Sequence, residues 1–558
     1  MKKIAISLFV STLATVALVA CHAAEDDPAG QAEELSDPVR RTNAIRNLQK
    51  IWSNALREAD GDRSAANVRE VADAVIDKLA QAYIDNRMDN QNGLAMLQLM
   101  KEMEDPRALP ALVAALDWRA EVNEEHAIRA AQTIQILELE EGQKADVASA
   151  LGEALEKVRQ ARPVDNRLRV EMIRALGSLD STAATPHLTK VATQQIEEQN
   201  FLINRLAAQQ LGELGDPEAV DEMILGLYLF APSNPGMRMN DVAAEALVRI
   251  GQPSLQPLLA TLRGENEAAN DIAEAYIEAV RQRDEQAAER MSVEQHIGGE
   301  ATYALGALGF REAFDPLFAE TEAEDTFRRL NGAIALVRLN MNESDLPRVR
   351  ERLQSIYTGF ADDAQSVQMK AQLTAAMRSL YDPGYLDFFL EQAKEEDNHP
   401  VVRLEAMSSY ALLANKAQAE ALQAWLAANE DDPYHDNFSQ TTEKALATAI
   451  ECDEDVQCYI GKLDDEDKAV IRKAAFMLGR LGRGNEAVIE ALVGKLDHGE
   501  LEVRMAAVQA LDRVATEGSE AAIEKIEQLR EQEQGRAIWN QFAREALPIE
   551  ARLRARMQ

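Results

Sequence analysis

Basic charge is what this 558-residue chain has least of for its size: 59 Lys and Arg stand against 95 Asp and Glu, for a formal net charge of -36, and no local basic stripe offsets it. A phosphate backbone would be repelled by such a field, so nucleic acid is excluded as a partner. Aromatic residues are 5% of the chain, which argues against extended sugar-stacking platforms. The seven histidines (His22, His126, His187, His296, His399, His435, His498) are scattered, with no recognisable spacing of nucleophile, base and orienting acid and no phosphate-binding glycine loop. No catalytic residue and no cofactor is assigned. The acidic turns Asp453-Glu454-Asp455 and Asp464-Asp465-Glu466-Asp467 lack the alternating oxygen ligands and central glycine of a calcium loop, so no metal is assigned either.

What is abundant is Ala and Leu. With 46% hydrophobic residues and modest Gly (27) and Pro (17), the composition is that of stacked helices with a sizeable core. The fold class expected is all-α.

The first residues read as an export address. Lys2 and Lys3 precede an apolar run from Ile4 to Ala20 that stops at Cys21, followed by polar sequence. Leu18-Val19-Ala20-Cys21 resembles the bacterial lipoprotein processing box, which implies a signal peptide over 1–20 and lipidation of Cys21; a transmembrane anchor and an ordinary cleaved leader are the alternatives. In such lipoproteins an Asp after the cysteine commonly retains the protein at the inner membrane. Here the residue is His22, so the expected location is the outer membrane, facing the periplasm. Residues 21–38, acidic and without apolar periodicity, read as a flexible tether. In an oxidising compartment the remaining pair, Cys452 and Cys458, is expected to form a structural disulfide; zinc binding and thiol exchange are the alternatives.

Self-comparison finds one unit repeatedly: paired small residues, then Leu, often Gly, then an apolar residue, a turn and a second apolar helix. Copies include Ala207-Ala208 with Leu211-Gly212, Ala301 with Leu305-Gly306, and Ala474-Ala475 with Leu478-Gly479. Marker leucines at 176, 211 and 247, at 305 and 336, and at 478 and 511 give periods of 31 to 36 residues. One unit cannot bury its apolar face alone, so units must stack. Asp105-Pro106, Asp216-Pro217 and Asp382-Pro383 read as turns in which Asp caps and Pro opens the next helix.

The run Arg205 to Leu227, with its Leu-Gly-Glu-Leu-Gly-Asp-Pro core, resembles the HEAT and PBS-lyase-type HEAT repeats, as does Glu502-Val503-Arg504 leading into Ala506-Ala507. The resemblance covers roughly residues 90–545. It implies an α-solenoid of stacked antiparallel helix pairs: an N-terminal helical region with degenerate repeats over 39–160, then a solenoid over 161–558 with a helical insertion near 264–299 and a C-terminal helical cap. It also implies that the recurring Arg169, Arg329, Arg403 and Arg504 brace neighbouring repeats.

Two enzyme families share such repeats. Deoxyhypusine hydroxylases hold iron with His-Glu pairs, but the closest spot here, Gly299-Glu300, has Gly in place of His. Bilin lyases share only scaffold residues. The function expected is therefore a non-enzymatic interaction scaffold, tethered to the envelope membrane by its lipid, that binds a protein or peptide in the solenoid groove. A bilin-lyase-like enzyme or accessory factor is the alternative.

Overall fold

The computed structural model describes residues 23–117, 124–160, 166–194, 200–232, 234–339, 341–361, 363–516, 518–534 and 541–557. The chain is an α-solenoid in two units, Met1–Leu179 and Asp180–Gln558.

In the first unit, α1 (Pro28–Glu34), α2 (Arg41–Glu58) and α3 (Ala66–Asp85) open the stack; α4 (Asn90–Met103), α5 (Leu109–Leu116), α6 (Glu124–Ile134), α7 (Glu141–Gln160) and α8 (Asn166–Ser178) continue it. Two rows result, one from α2, α4, α6 and α8 and one from α3, α5 and α7. Ile45, Leu48 and Trp52 are buried on α2, three or four residues apart as one helical stripe requires. The division between units falls later than the 160/161 boundary read from the sequence, because α8 packs on α6 and α7.

The expected tether over 21–38 is corrected in its described part. Pro28 opens α1 after Asp27, and Gln31, Ala32 and Leu35 are buried against α2 and α3. Gln31 Nε2 donates to the carbonyls of Ala23 (3.3 Å) and Ala24 (3.0 Å), drawing the preceding residues onto the same surface. A single apolar turn has no periodicity to detect, which is why the segment reads as linker.

The second unit alternates two rows. One holds α10 (Phe201–Leu214), α12 (Asn240–Ile250), α16 (Val293–Leu308), α18 (Thr326–Leu336), α20 (Ala364–Arg378), α22 (Pro400–Leu413), α24 (His435–Cys452), α26 (Lys468–Leu481), α28 (Leu501–Val514) and α30 (Gln541–Met557). The other holds α9 (Thr185–Thr193), α11 (Val220–Gly226), α13 (Leu255–Leu262), α17 (Phe314–Glu320), α19 (Leu346–Thr358), α21 (Leu386–Lys394), α23 (Lys416–Ala428), α25 (Val456–Lys462), α27 (Glu486–Gly494) and α29 (Glu520–Gln534). A hairpin of β1 (Phe230–Ala231) and β2 (Asn234–Arg238) precedes α12, and α14 (Glu267–Arg281) and α15 (Glu285–Glu289) lie within the segment 264–299. On α14, Ala269, Ala273 and Ile277 are buried, four residues apart as one helical face requires, whereas Ala275 is exposed.

The row containing α10 packs more closely than the other, and its glycines are the cause. A Cβ on Gly212 would lie 2.8 Å from the Cα of Ala246, and one on Gly306 would lie 2.7 Å from the Cα of Ala335. The Leu-Gly step of the repeat is thus where one helix of the row meets the next. Close approach in one row alone curves the stack, and α30 reaches α12 and α16. The helices of the closer row are therefore the inner ones.

The turns behave as their chemistry dictates. Asp105, Asp216 and Asp382 accept from the backbone N–H two residues on, with Pro opening a short 3-10 turn. Asp216 also accepts from Thr185 Oγ1, and Asp382 from Arg350 Nε at 2.8 Å, so each cap ties two repeats together.

Candidate functional site

Three cations of the inner row reach across the second unit to the ends of other inner helices. Lys473, on α26, is fully buried, and its Nζ donates to the carbonyls of Ala411 (3.1 Å), Leu412 (2.8 Å) and Ala414 (2.7 Å) at the C-terminal end of α22. Arg480, two turns further along α26, donates to the Leu413 carbonyl at 3.1 Å. Arg513, on α28, donates to the Leu380 carbonyl at 3.0 Å and lies over the ring of Tyr381, which stacks on Phe476 at 4.2 Å. The last carbonyls of a helix have no intrahelical donor and carry the negative end of its dipole, so they are natural acceptors for these cations. Burial and the Arg480 charge push the pKa of Lys473 well below that of an ordinary lysine. Three carbonyl acceptors nevertheless match the three N–H groups of the ammonium. Tyr381 holds φ at +57°, a left-handed conformation that costs a side-chain-bearing residue about 1 kcal/mol and is held here by its stacking.

These contacts correct the expectation of an open groove in this part of the chain. Between α20–α22 and α26–α28 lie the buried Tyr381 and Lys473 and the half-buried Phe476 and Arg513, and nearer the start of the unit α30 lies against α12 and α16.

A second cluster sits where the hairpin and α14 interrupt the repeat. Arg238, at the end of β2, donates to Glu300 Oε1 at 2.6 Å, and Asn240 Nδ2 donates to Glu300 Oε2 at 3.1 Å. Tyr276 stacks on His296 at 4.5 Å, and Tyr228 meets His296 edge-on at 5.8 Å while donating to the Ile297 carbonyl. Both oxygens of Glu300 are engaged, and His296 Nε2 is buried with no hydrogen-bond partner among the described residues. No pair of nucleophile and base is assembled here. The cluster holds the insertion onto α16.

Burial, and secondarily the Arg238 charge, push the His296 pKa down to about 4 from its ordinary 6.5. As pH falls the unfolded chain takes up the proton first, so stability present above about 6.5 is lost between there and about 4. Replacing His296 with Phe keeps the ring stack and removes the titration. The variant should recover about 2–3 kcal/mol of the stability lost between pH 7 and pH 4, read by urea unfolding at the two pH values.

Of the residues singled out from the sequence, Cys21 and the leader over 1–20 lie outside the described residues. Cys452 and Cys458 are joined by a disulfide between α24 and α25. Around the turn it closes, Asp453 Oδ1 accepts from the Lys416 backbone N–H at 3.1 Å, and Tyr459 Oη donates to the Asp453 carbonyl at 2.8 Å. A loop this short predicts a loss of about 2 kcal/mol for Cys458→Ser, measured as a lowered urea midpoint under non-reducing conditions. The acids of the turns serve as caps: Asp455 accepts from the backbone at the start of α25, and Asp467 at the start of α26. His126 is a core residue, its Nδ1 2.9 Å from Tyr83 Oη and its Nε2 3.2 Å from the Asn90 carbonyl. Arg329 donates to the carbonyls of Ala323 and Glu324, Arg403 to that of Ala393, and Arg504 to those of His498 and Gly499, while Arg169 is buried on α8.

The pins escape a reading by repeat alone, although one signal was present. Lys473 precedes Ala474-Ala475 in the position that Leu206 and Val242 hold before their own small pairs, so it places a cation in the apolar phase.

No curated protein matches the chain. Among solved structures, Kap121p bound to Nup53p is similar at 14% identity and a TM-score of 0.46, over 87% of this chain and 53% of that one. UNC-45 from Drosophila melanogaster is similar at 13% identity and a TM-score of 0.24, over 94% of this chain and 93% of that one. The chain thus spans about half the length of the Kap121p chain it matches. The profile of the HEAT repeats family matches residues 460–541, the stretch from α25 through α29 that contains Lys473 and Arg513. The chain is an all-α solenoid that contains HEAT repeats.

Proposed function

We propose that this protein is a non-enzymatic interaction scaffold that binds a protein partner, exported and held at the cell envelope, on the periplasmic face of the outer membrane, by lipid on Cys21. The observation that carries the scaffold reading is a register. Leu202, Phe327 and Val401 are among the few large apolar side chains left exposed in the described residues, and each is the second residue of an inner helix, α10, α18 and α22 respectively. Scattered exposed apolar residues need no explanation, but a shared position on three helices of one row places them along one edge of the stack. The equivalent residue of α28 is Glu502, so the position does not require an apolar side chain for folding. Where the interior between α20–α22 and α26–α28 is occupied by the protein's own side chains, this edge offers a partner an exposed apolar surface.

Chemical crosslinking in intact cells, followed by affinity isolation and mass spectrometry, tests both parts. Wild-type protein should recover one envelope protein in near-stoichiometric yield. The combined Leu202→Ser, Phe327→Ser and Val401→Ser variant should lose it, and Cys21→Ser should leave the membrane fraction. Recovery of the same protein by the triple-serine variant would sink the edge as the binding surface, and membrane retention of Cys21→Ser would sink the lipid anchor.

A further inference from the structure

The same edge carries charge as well as apolar side chains. Arg403, near the start of α22, bonds Asp432 in the turn before α24, and Lys468, at the start of α26, pairs with Glu502 at the start of α28. The turns that lead into successive inner helices are therefore neighbours along one edge. They are unusually acidic. Glu324 precedes α18, Glu395, Glu396 and Asp397 precede α22, and Glu430 and Asp431 precede α24; all six are exposed, and none is paired with a cation among the described residues. Several cations of the second unit are committed elsewhere: Lys473, Arg480 and Arg513 to helix C-termini, and Arg205, Arg378 and Arg552 to Asp241, Glu405 and Asp512. These six carboxylates thus lie in the same row of turns as the exposed Phe327 and Val401, which are 52% and 47% exposed respectively.

Adjacent packed helices stand roughly 8–10 Å apart, so two steps, from α18 to α22, span about 20 Å. An extended chain covers that distance in about six residues. From this complementarity we infer that the edge from α18 to α24 docks an extended, basic segment of a protein partner, with two apolar side chains about six residues apart that meet Phe327 and Val401 and with lysine or arginine against the acidic turns between and beside them. This rests on the protein-binding reading above and specifies the chemistry of the partner. A lipid or nucleic-acid phosphate would meet repulsion on the same surface.

The test is calorimetric titration of the full chain with a synthetic peptide of alternating lysine and serine that carries leucine at two positions six apart, against the same peptide with serine in place of both leucines. The leucine peptide should bind about tenfold more tightly than its serine counterpart, and its affinity should fall as salt is raised. Phe327→Ser with Val401→Ser should abolish that leucine advantage. Glu395→Lys, Glu396→Lys and Asp397→Lys together should weaken both peptides by about tenfold or more. All five positions are exposed, so the fold should persist, which circular dichroism melting verifies. Equal binding of the two peptides, or unchanged binding to the charge-reversed protein, would overturn the inference. If crosslinking in cells still captures a partner through Phe327 and Val401 while neither peptide binds, the basic chemistry is wrong and the scaffold stands; if both experiments fail, the scaffold reading falls with it.

Discussion

Replacing Lys473 with methionine should lower the stability of the second unit by about 3–5 kcal/mol, although the two side chains are similar in length and both fit an apolar site. The ammonium donates to three carbonyls at the end of α22, and methionine would leave all three without a donor inside the protein. The cost is that of orphaned acceptors rather than of lost volume. A pH series separates the two. Because burial holds the folded pKa of Lys473 below that of the unfolded chain, the wild type gains stability as pH rises through the window below the ordinary lysine value of 10.5 and loses it as pH falls. Methionine cannot titrate, so the gap between wild type and variant should widen from neutral pH toward 10.5. Urea midpoints at three pH values decide it, and a gap independent of pH would show that the lysine is not buried as described.

The second large effect belongs to a glycine. Gly306→Val should destabilise by about 3 kcal/mol and Gly306→Ala by about 1–3 kcal/mol, because even a Cβ would sit 2.7 Å from the Cα of Ala335, an atom that cannot move aside as a side chain can. The helices α16 and α18 must separate to admit it. Since α30 rests against α12 and α16, their separation should also loosen the C-terminal helix, read as faster amide exchange over 541–557. Gly461→Ala is the control: it lies within α25 with nothing inside 4 Å of the added Cβ, and it should gain about 0.5–1 kcal/mol from helix propensity alone. Equal losses at both positions would show that glycine acts here through the unfolded chain and not through helix contact.

The repeats were legible because their signals are local. The pairs Ala207-Ala208 and Ala474-Ala475, each followed by Leu-Gly, lie within one helix apiece, and their spacing marks a buried stripe before any partner is known. The Asp-Pro turns are equally local, since cap and acceptor stand two residues apart. The segment before α2 was missed because one turn of helix has no period.

The candidate surface was less legible. Leu202, Phe327 and Val401 are apolar residues at the start of amphipathic helices, and in sequence they look like further members of the core stripe. Only the packing shows that the stripe begins after them.

By itself, then, the sequence determined helix content, repeat period, turn chemistry and the sign of the surface field, since each depends on side chains within a few residues of one another. Tertiary structure decided how the inner helices of the second unit meet and which apolar side chains stay in solvent. Lys473 reaches a carbonyl 62 residues away and Arg513 one 133 residues away. Such contacts depend on how inner helices two to four places apart in the row curve toward one another, which no single repeat encodes.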